Sequence, residues 1–483
     1  MSEGNTAAAK WTGIAEPKPL AAIARLACYP WLVVAITCTG AFIGQLDASI
    51  VQLALPTLRE TFHSSLETVS WVALAYLLAF AACLPVFGRL CEIYGRKLLY
   101  LLGYLIFTVS SALCGMAPSL TWLIFFRVLQ GIGGSILGAN SISILVKAID
   151  PGLRARALGI FAAAQAIGVS AGPVAGGLLL GAFGWQAVFW VAVPFGLAAA
   201  VIGWMVLPVT AIAAGDKSFD GRGALLLVPA LVLLVLALNQ VSAWGIASPA
   251  LIGSVIAGAA LIALLVRHEA AIAAPLVDLQ LFRHPAFSGG IVAVMLGYAM
   301  LYGMFFLMSF ALTRGHHDSP TVAGLRLAII PVAIGLTAPF SGGLSERLGT
   351  RGLSVAGMAI GIAGIALLSF AMDTASRLPE MAGMVLFGAG LGVFIAPNTH
   401  ATIGAAPPTL SGEAGSLLNL MRVMGTSLGV ASASSVLSWR TQGQVFDGQI
   451  VLDAVETGLA MLAMFAAIAA GASLIRNPTS SAR

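Results

Sequence analysis

Asp47, Arg127 and Arg422 each lie inside a long apolar run, where a charged side chain is out of place. An ionisable group deep in a bilayer costs about 2.5–3.5 kcal/mol on insertion scales, so it is retained for a purpose. Counting 1.5 Å per helical residue, Asp47 lies about 12 Å below the outer end of its span and Arg127 about 10 Å below the same surface. The two can therefore meet at one depth. One reading is a static ion pair, although such pairs repay their desolvation poorly. The other is a proton site: burial disfavours the ionised carboxylate and a nearby guanidinium favours it, so a movement that separates them changes proton affinity. On the second reading, Asp47 and Arg127 are the proton-coupling residues. Arg422 lies about 13 Å into its span from the opposite side. It either binds substrate or donates to backbone carbonyls near a helix end. Gln130, Gln165, Asn398 and Asn419 join Arg422 as polar candidates for lining a substrate cavity. Hydrogen bonding between helices is the alternative role for single Asn and Gln residues.

Other chemistry is thinly represented. The His316-His317 doublet sits in a short loop between Arg314 and Pro320 and lacks the convergent ligands a metal needs. Cys28, Cys38, Cys83, Cys91 and Cys114 have neither metal-ligand nor disulfide-framework spacing and read as core filling. No nucleophile–base pair stands out. No catalytic residue, metal or cofactor is expected, and an enzyme is the least favoured class.

The elements that must position these residues follow from composition. Of 483 residues, 59% are hydrophobic and 9% charged, where a soluble protein carries about 25% charged residues. A water-soluble fold cannot hide that much apolar surface, so the excess faces lipid. A bilayer core takes about 20 apolar residues per helix. Runs of that kind lie near 31–55, 69–89, 98–116, 120–145, 156–182, 186–207, 223–242, 249–266, 286–312, 322–344, 352–371, 380–402, 414–438 and 455–475. The fold class is all-α polytopic. The net charge of +5 is no nucleic-acid footprint, because basic residues such as Arg89, Arg96, Lys97, Lys147, Arg154, Arg156, Arg267 and Arg283 cluster in alternate short loops. The positive-inside rule then places those loops, and both termini, in the cytoplasm of a cell-membrane protein. The polar first residues read as a cytoplasmic tail rather than a cleaved signal peptide.

Internal repetition organises the spans. Gly88-Arg-Leu-Cys-Glu92-Ile-Tyr-Gly95-Arg96-Lys97 recurs as Gly342-Gly-Leu-Ser-Glu346-Arg-Leu-Gly349-Thr-Arg351, and Gly131-Ile-Gly133 as Gly388-Ala-Gly390. Two matches in one order suggest a parallel duplication, a known transporter architecture. The units are a tail at 1–30, a six-helix bundle at 31–207, a linker with two extra spans at 208–285, a second six-helix bundle at 286–475, and a tail at 476–483. The inserted pair holds no charge within its spans and reads as peripheral and lipid-facing. In the fifth span, Gly168, Gly172 and Gly176 recur at four-residue spacing, with Pro173 and Gly177 beside them. Such a stripe lets another helix approach closely, and proline beside glycine permits a kink. Tight packing and a hinge or seal are both compatible with it.

These residues resemble the major facilitator superfamily in its 14-helix drug:proton antiporter branch. Leu46-Asp47-Ala-Ser-Ile-Val-Gln-Leu-Ala-Leu55-Pro56 is similar to the branch's first-helix motif, and Gly88 to Lys97 to the superfamily loop between helices 2 and 3, with Glu92 where aspartate is usual. Arg127-Val-Leu-Gln130-Gly131-Ile-Gly133-Gly134 resembles the fourth-helix motif, and Gly168 to Gly177 the antiporter motif of helix 5. Phe219-Asp220-Gly-Arg-Gly and Pro275-Leu-Val-Asp278-Leu-Gln-Leu-Phe282 resemble the stretches that flank the inserted pair. The resemblance implies the major-facilitator fold, alternating access, coupling through Asp47 and Arg127, and a cytoplasmic gate at Gly88, Glu92, Gly95, Arg96 and Lys97. Ala192 departs from the branch's usual asparagine. The later spans offer no second embedded carboxylate, which disfavours dicationic cargo.

The expectation is proton-coupled export of small amphipathic compounds, of the kind that confers multidrug and antibiotic resistance. A dedicated exporter of one metabolite is the alternative, and nutrient symport is disfavoured by the helix 5 motif. A receptor or scaffold would carry a sizeable soluble domain. The expected partners are a small-molecule substrate, protons and the lipid bilayer, with no nucleic acid; periplasmic or outer-membrane efflux partners are left open.

Overall fold

The computed structural model describes residues 16–209, 220–272, 278–372, 374, 376–407, 410–442 and 447–475. Residues 1–15 and 476–483 of the expected tails, and Phe219 and Pro275 of the flanking stretches, lie outside the described residues. Among the described residues, 14 helices are long and apolar enough to cross a membrane. They are α1 (Tyr29–Thr61), α2 (Leu66–Tyr94), α3 (Arg96–Gly115), α4 (Leu120–Ala148), α5 (Arg154–Phe183), α6 (Trp185–Trp190 and Ala192–Val206), α7 (Gly221–Trp244), α8 (Pro249–Glu269), α9 (Pro285–Phe310), α10 (Pro320–Leu327 and Ile329–Leu348), α11 (Thr350–Ala371), α12 (Leu378–Gly404), α13 (Ser411–Thr441) and α14 (Gly448–Leu474).

Helix starts follow from local chemistry. The side chains of Ser65, Ser119, Ser248 and Ser319 accept backbone N–H groups of α2, α4, α8 and α10, and Asp220 does so for α7. Some helices outrun their apolar cores. α14 begins at Gly448 rather than near 455, its added turns carrying the polar Gln449 and Asp453 that the apolar run leaves out; Glu456 accepts a hydrogen bond from Ser369 Oγ at 2.8 Å. Outward faces are apolar, with Phe340 78% exposed and Phe183 74% exposed, as lipid contact requires.

The packing repeats as a duplication demands. α1 packs on α4, α5 and α6, α2 on α4, and α3 on α4 and α6; α9 packs on α12, α13 and α14, α10 on α12, and α11 on α12 and α14. The repeated glycines do the same work in each half. A Cβ on Gly131 would lie 2.9 Å from Ala79 Cβ, and one on Gly388 would lie 2.8 Å from Ala333 Cβ. Both loops between second and third helices turn at a left-handed glycine, Gly95 at φ 99° and Gly349 at φ 78°, a conformation that other residues adopt at a cost.

The halves meet at α1 against α9 and at two related seams, α2 against α13 and α5 against α10. α7 lies across only the first of those seams, packing on both α2 and α13, and α8 packs on α7. The inserted pair is largely exposed, but α7 is pinned at one end. Asn239 Nδ2 donates to Ser70 Oγ at 2.8 Å, while Ser435 Oγ donates to the carbonyl of Leu238 at 2.6 Å.

Gly131→Val should destabilise the fold by about 1–3 kcal/mol, the range for overpacking a close contact. Gly253→Ala, in a position with nothing within 4 Å, should leave stability unchanged. Thermal unfolding of the detergent-purified protein, followed by size-exclusion profile, distinguishes the two.

Candidate functional site

The first half closes around one charged network. Asp47 of α1 is 2% exposed, Arg127 of α4 is 1% and Gln130 is 0%. Arg127 Nη1 donates to Asp47 Oδ2 at 2.6 Å and to Gln130 Oε1 at 2.6 Å, and Arg127 Nε donates to the Val72 carbonyl at 2.8 Å. Gln130 Nε2 donates to Asp47 Oδ1 at 2.9 Å and to Ser111 Oγ at 3.1 Å. The Arg127 guanidinium carbon lies 4.3 Å from the centre of the Tyr76 ring, a cation–π distance. Four helices, α1 to α4, are therefore joined through one carboxylate. Gln130 is on the face of α4 that Arg127 occupies, one turn along, and completes this network.

A tyrosine row leads from the network towards the second half. Tyr302 of α9 reaches Gln45 of α1, donating from its hydroxyl to Oε1 at 3.5 Å. Tyr298, one turn before it, carries the Arg422 guanidinium carbon 4.7 Å above its ring. Asn419 is half-buried and lies one turn before Arg422 on α13, and Gln165 is half-buried on α5. Asn398 is fully buried and donates to the Gly290 carbonyl at 3.2 Å, tying α12 to α9.

The Gly88–Lys97 loop lies on the face that carries the basic loops. Glu92 is paired with Arg89 at 3.0 Å and Arg96 at 3.5 Å. Lys97 is buried, its Nζ donating to the carbonyls of Pro17 and Leu207 at 2.7 Å each. The helix 5 glycines act at two contacts. A Cβ on Gly168 would lie 2.6 Å from the Phe42 carbonyl and one on Gly176 would lie 2.9 Å from Ile50, so this stripe seats α1; Gly172 abuts Ser49 in the same way. Gly177 faces the other half, where its Cβ would lie 3.0 Å from Gly324 Cα of α10, and Pro173 offers its backbone to the same glycine.

Several residues escaped the sequence reading. On the face opposite the basic loops, Arg314 pairs with Glu60 across the halves, and Glu67 of α2 accepts from Ser438 of α13 and Ser242 of α7. Arg326 bridges Asp318 and the fully buried Glu380, with His316 3.4 Å from the latter and hydrogen-bonded to Arg377. Glu16 accepts the Lys97 N–H at 3.1 Å, capping α3 from far along the chain. The available signal was a buried acid in the first turn of a span, as at Glu67 and Glu380; for Glu16 no local signal exists.

Residues 37–430 match the family profile of the Major Facilitator Superfamily. The chain is 34% identical over 408 residues to the riboflavin transporter RibZ of Clostridioides difficile, covering 84% of this chain and 88% of that protein. It is 32% identical over 419 residues to the tetracenomycin C resistance and export protein of Streptomyces glaucescens, covering 86% and 77%. It is 31% identical over 402 residues to the multidrug resistance protein Stp of Mycobacterium tuberculosis, covering 83% and 74%. In fold it matches a bacterial homolog of the human lysosomal transporter Spinster in an inward-facing conformation, at 16% identity, with a TM-score of 0.69 over 94% of this chain and 100% of that one.

Arginine cannot shed its proton in a protein, whereas a carboxylate can take one up. Asp47→Leu should therefore destabilise by about 3–5 kcal/mol by stranding a buried cation, and Arg127→Met by clearly less. The double variant should regain part of the loss. Unfolding midpoints of the three proteins measure this, and equal losses in the two single variants would contradict it.

Proposed function

The chain belongs to the major facilitator superfamily, and on that premise we propose that it is a proton-driven exporter of small amphipathic compounds working by alternating access. The observation that carries the reading is the sealed Asp47–Arg127–Gln130 network, a single carboxylate whose charge is answered by one guanidinium and shared among four helices. The family's members carry small molecules across membranes, and the export and resistance proteins among the relatives support the direction.

With the basic loops cytoplasmic, the contacts at Glu60–Arg314, Glu67–Ser438 and Gly177–Gly324 close the outer side. In this state Asp47 holds Arg127 as an anion would. Cargo enters between the halves from the cytoplasm. The rearrangement that breaks the outer contacts exposes Asp47 to the external medium, where a proton neutralises it and frees Arg127 from its partner. Return to the present state brings Arg127 back against Asp47 and displaces the proton inward. Each inward proton supplies about 2.3 kcal/mol for every 100 mV of membrane potential. The Glu92 loop and Lys97 are assigned to the cytoplasmic gate. The glycines of α5 allow the approach to α1 and α10 that the outer-closed state needs.

A dedicated metabolite exporter is the second reading, favoured by the similarity to a riboflavin transporter. Both readings use the same coupling.

Efflux of an amphipathic dye panel in energised inverted vesicles tests the proposal. Transport should collapse with a protonophore and with Asp47→Asn, and robust, protonophore-sensitive transport by the variant would remove Asp47 from coupling. Absence of dye transport in wild type, with proton-coupled riboflavin movement, would favour the metabolite reading. A second test traps one state. In a background lacking the native cysteines, a disulfide between Gly181→Cys and Thr321→Cys should stop turnover by locking the outer seam, with recovery on reduction; a Cβ at 181 would lie 2.8 Å from Thr321 Oγ1.

A further inference from the structure

Charges held within the bundles are answered in a consistent way. Arg127 meets Asp47, Arg326 meets Asp318 and Glu380, Arg314 meets Glu60, and Lys97 donates to two carbonyls. Arg422 differs. It forms no ion pair with a carboxylate among the described residues, and its Nε, like that of Arg326, is buried without a hydrogen-bond partner there. It lies about 16 Å along α13 from Ser411, well inside the hydrocarbon layer. An uncompensated charge at such a depth is expensive. What the protein does provide is an aromatic face: the guanidinium carbon is 4.7 Å from the centre of the Tyr298 ring, a contact that takes none of its N–H donors.

The position of this cation matters as much as its isolation. Tyr298 and Tyr302 are successive turns of α9, and the Tyr302 hydroxyl reaches Gln45 of α1 in the opposite half. Arg422 is half-buried rather than sealed, and the neighbouring Val423 packs against the cluster around Tyr76 in the first half. The guanidinium thus sits near the junction of the halves, over Tyr298 and one helical turn from the Tyr302 that reaches α1.

We propose that Arg422, held on Tyr298, is the recognition site for an anionic group on the cargo, and that the substrates are amphipathic organic anions: a flat ring bearing a carboxylate or sulfonate. This rests on the export reading above and narrows it. A planar guanidinium presents a fork of donors that matches a carboxylate, and the tyrosine faces suit a ring. The charge balance adds a second signature. If one proton enters for each cargo molecule that leaves, a monovalent anion moves two charges across the membrane, a neutral cargo moves one, and a monovalent cation none. Export of the anion is then the most strongly driven by membrane potential.

The test uses three probes on one scaffold: pyrene butyrate, pyrene butanol and pyrene butyl trimethylammonium. Binding to the purified full-length protein is read by fluorescence, and transport in proteoliposomes with the potential clamped by potassium and valinomycin. Wild type should bind the anion about 10–100 times more tightly than the cation, as expected for one charge-assisted pair. Arg422→Gln should bring that ratio close to unity, and Arg422→Lys should keep part of it, with melting temperatures verifying that the variants are folded. An unchanged ratio in Arg422→Gln, or wild-type binding that ignores charge, overturns the proposal. Should the Gln variant fail to fold, wild-type anion export no more sensitive to potential than that of the neutral probe overturns it equally. Proton-driven export without charge preference would leave the export reading intact and remove this one. Selective anion binding with transport indifferent to Asp47→Asn would do the reverse.

Discussion

Arginine keeps its proton inside a protein, and Arg127 is therefore a fixed positive charge in the middle of an apolar bundle. Everything around it answers that constraint. Asp47 supplies the counter-charge, Gln130 spans both members of the pair, the Val72 carbonyl takes the remaining Nε, and the Tyr76 ring covers the face. Remove the negative charge by protonation and the same cation must find compensation elsewhere. The charge on one side chain is thereby felt by α1, α2, α3 and α4 together, because the partners come from all four.

Close helix approach is the second condition. A buried pair spanning α1 and α4 needs short interhelical distances, and the small residues provide them: Gly168, Gly172 and Gly176 seat α5 on α1, while Gly131 and Gly133 seat α4 on α2 and α3. The second half repeats this scaffold with Gly388 and Gly390 but carries no counterpart of Asp47 on α9. The frame occurs twice, and the ionisable chemistry occupies each half differently: the first holds its paired carboxylate at mid-span on α1, while the second keeps its paired acids at the helix ends and has, among the described residues, Arg422 without a carboxylate at mid-span.

Much of this was legible in the sequence, for identifiable reasons. Apolar run length decided the number of spans, and alternate basic loops gave their expected sense. Asp47 and Arg127 were visible because charge in such runs is rare and helical rise fixes depth. Gln130 could not be told from other buried amides, since its role depends on which way one turn of α4 faces. The opposite-face clusters, Glu67 with its serines and Arg326 with Glu380, lie at the edges of spans, where apolar run length says nothing of which polar groups meet. Glu16 and Asn239 make their contacts across long stretches of chain and leave no local pattern. The α5 glycines were read as either packing or seal; three of them pack on α1 and Gly177 lies on the seam.

The placement of α7 has a mechanical consequence. The two seams between the halves are related by the internal repeat, yet a whole helix straddles one of them and is stitched to both sides by Asn239, Ser242 and Ser435. A clam shell strapped along one edge opens from the other. The α2–α13 edge is held by a third helix, whereas the α5–α10 edge rests on the direct contact of its own two helices. Parting the halves at the first edge must also break the bonds that α7 makes to α2 and α13, a cost that the second edge does not carry.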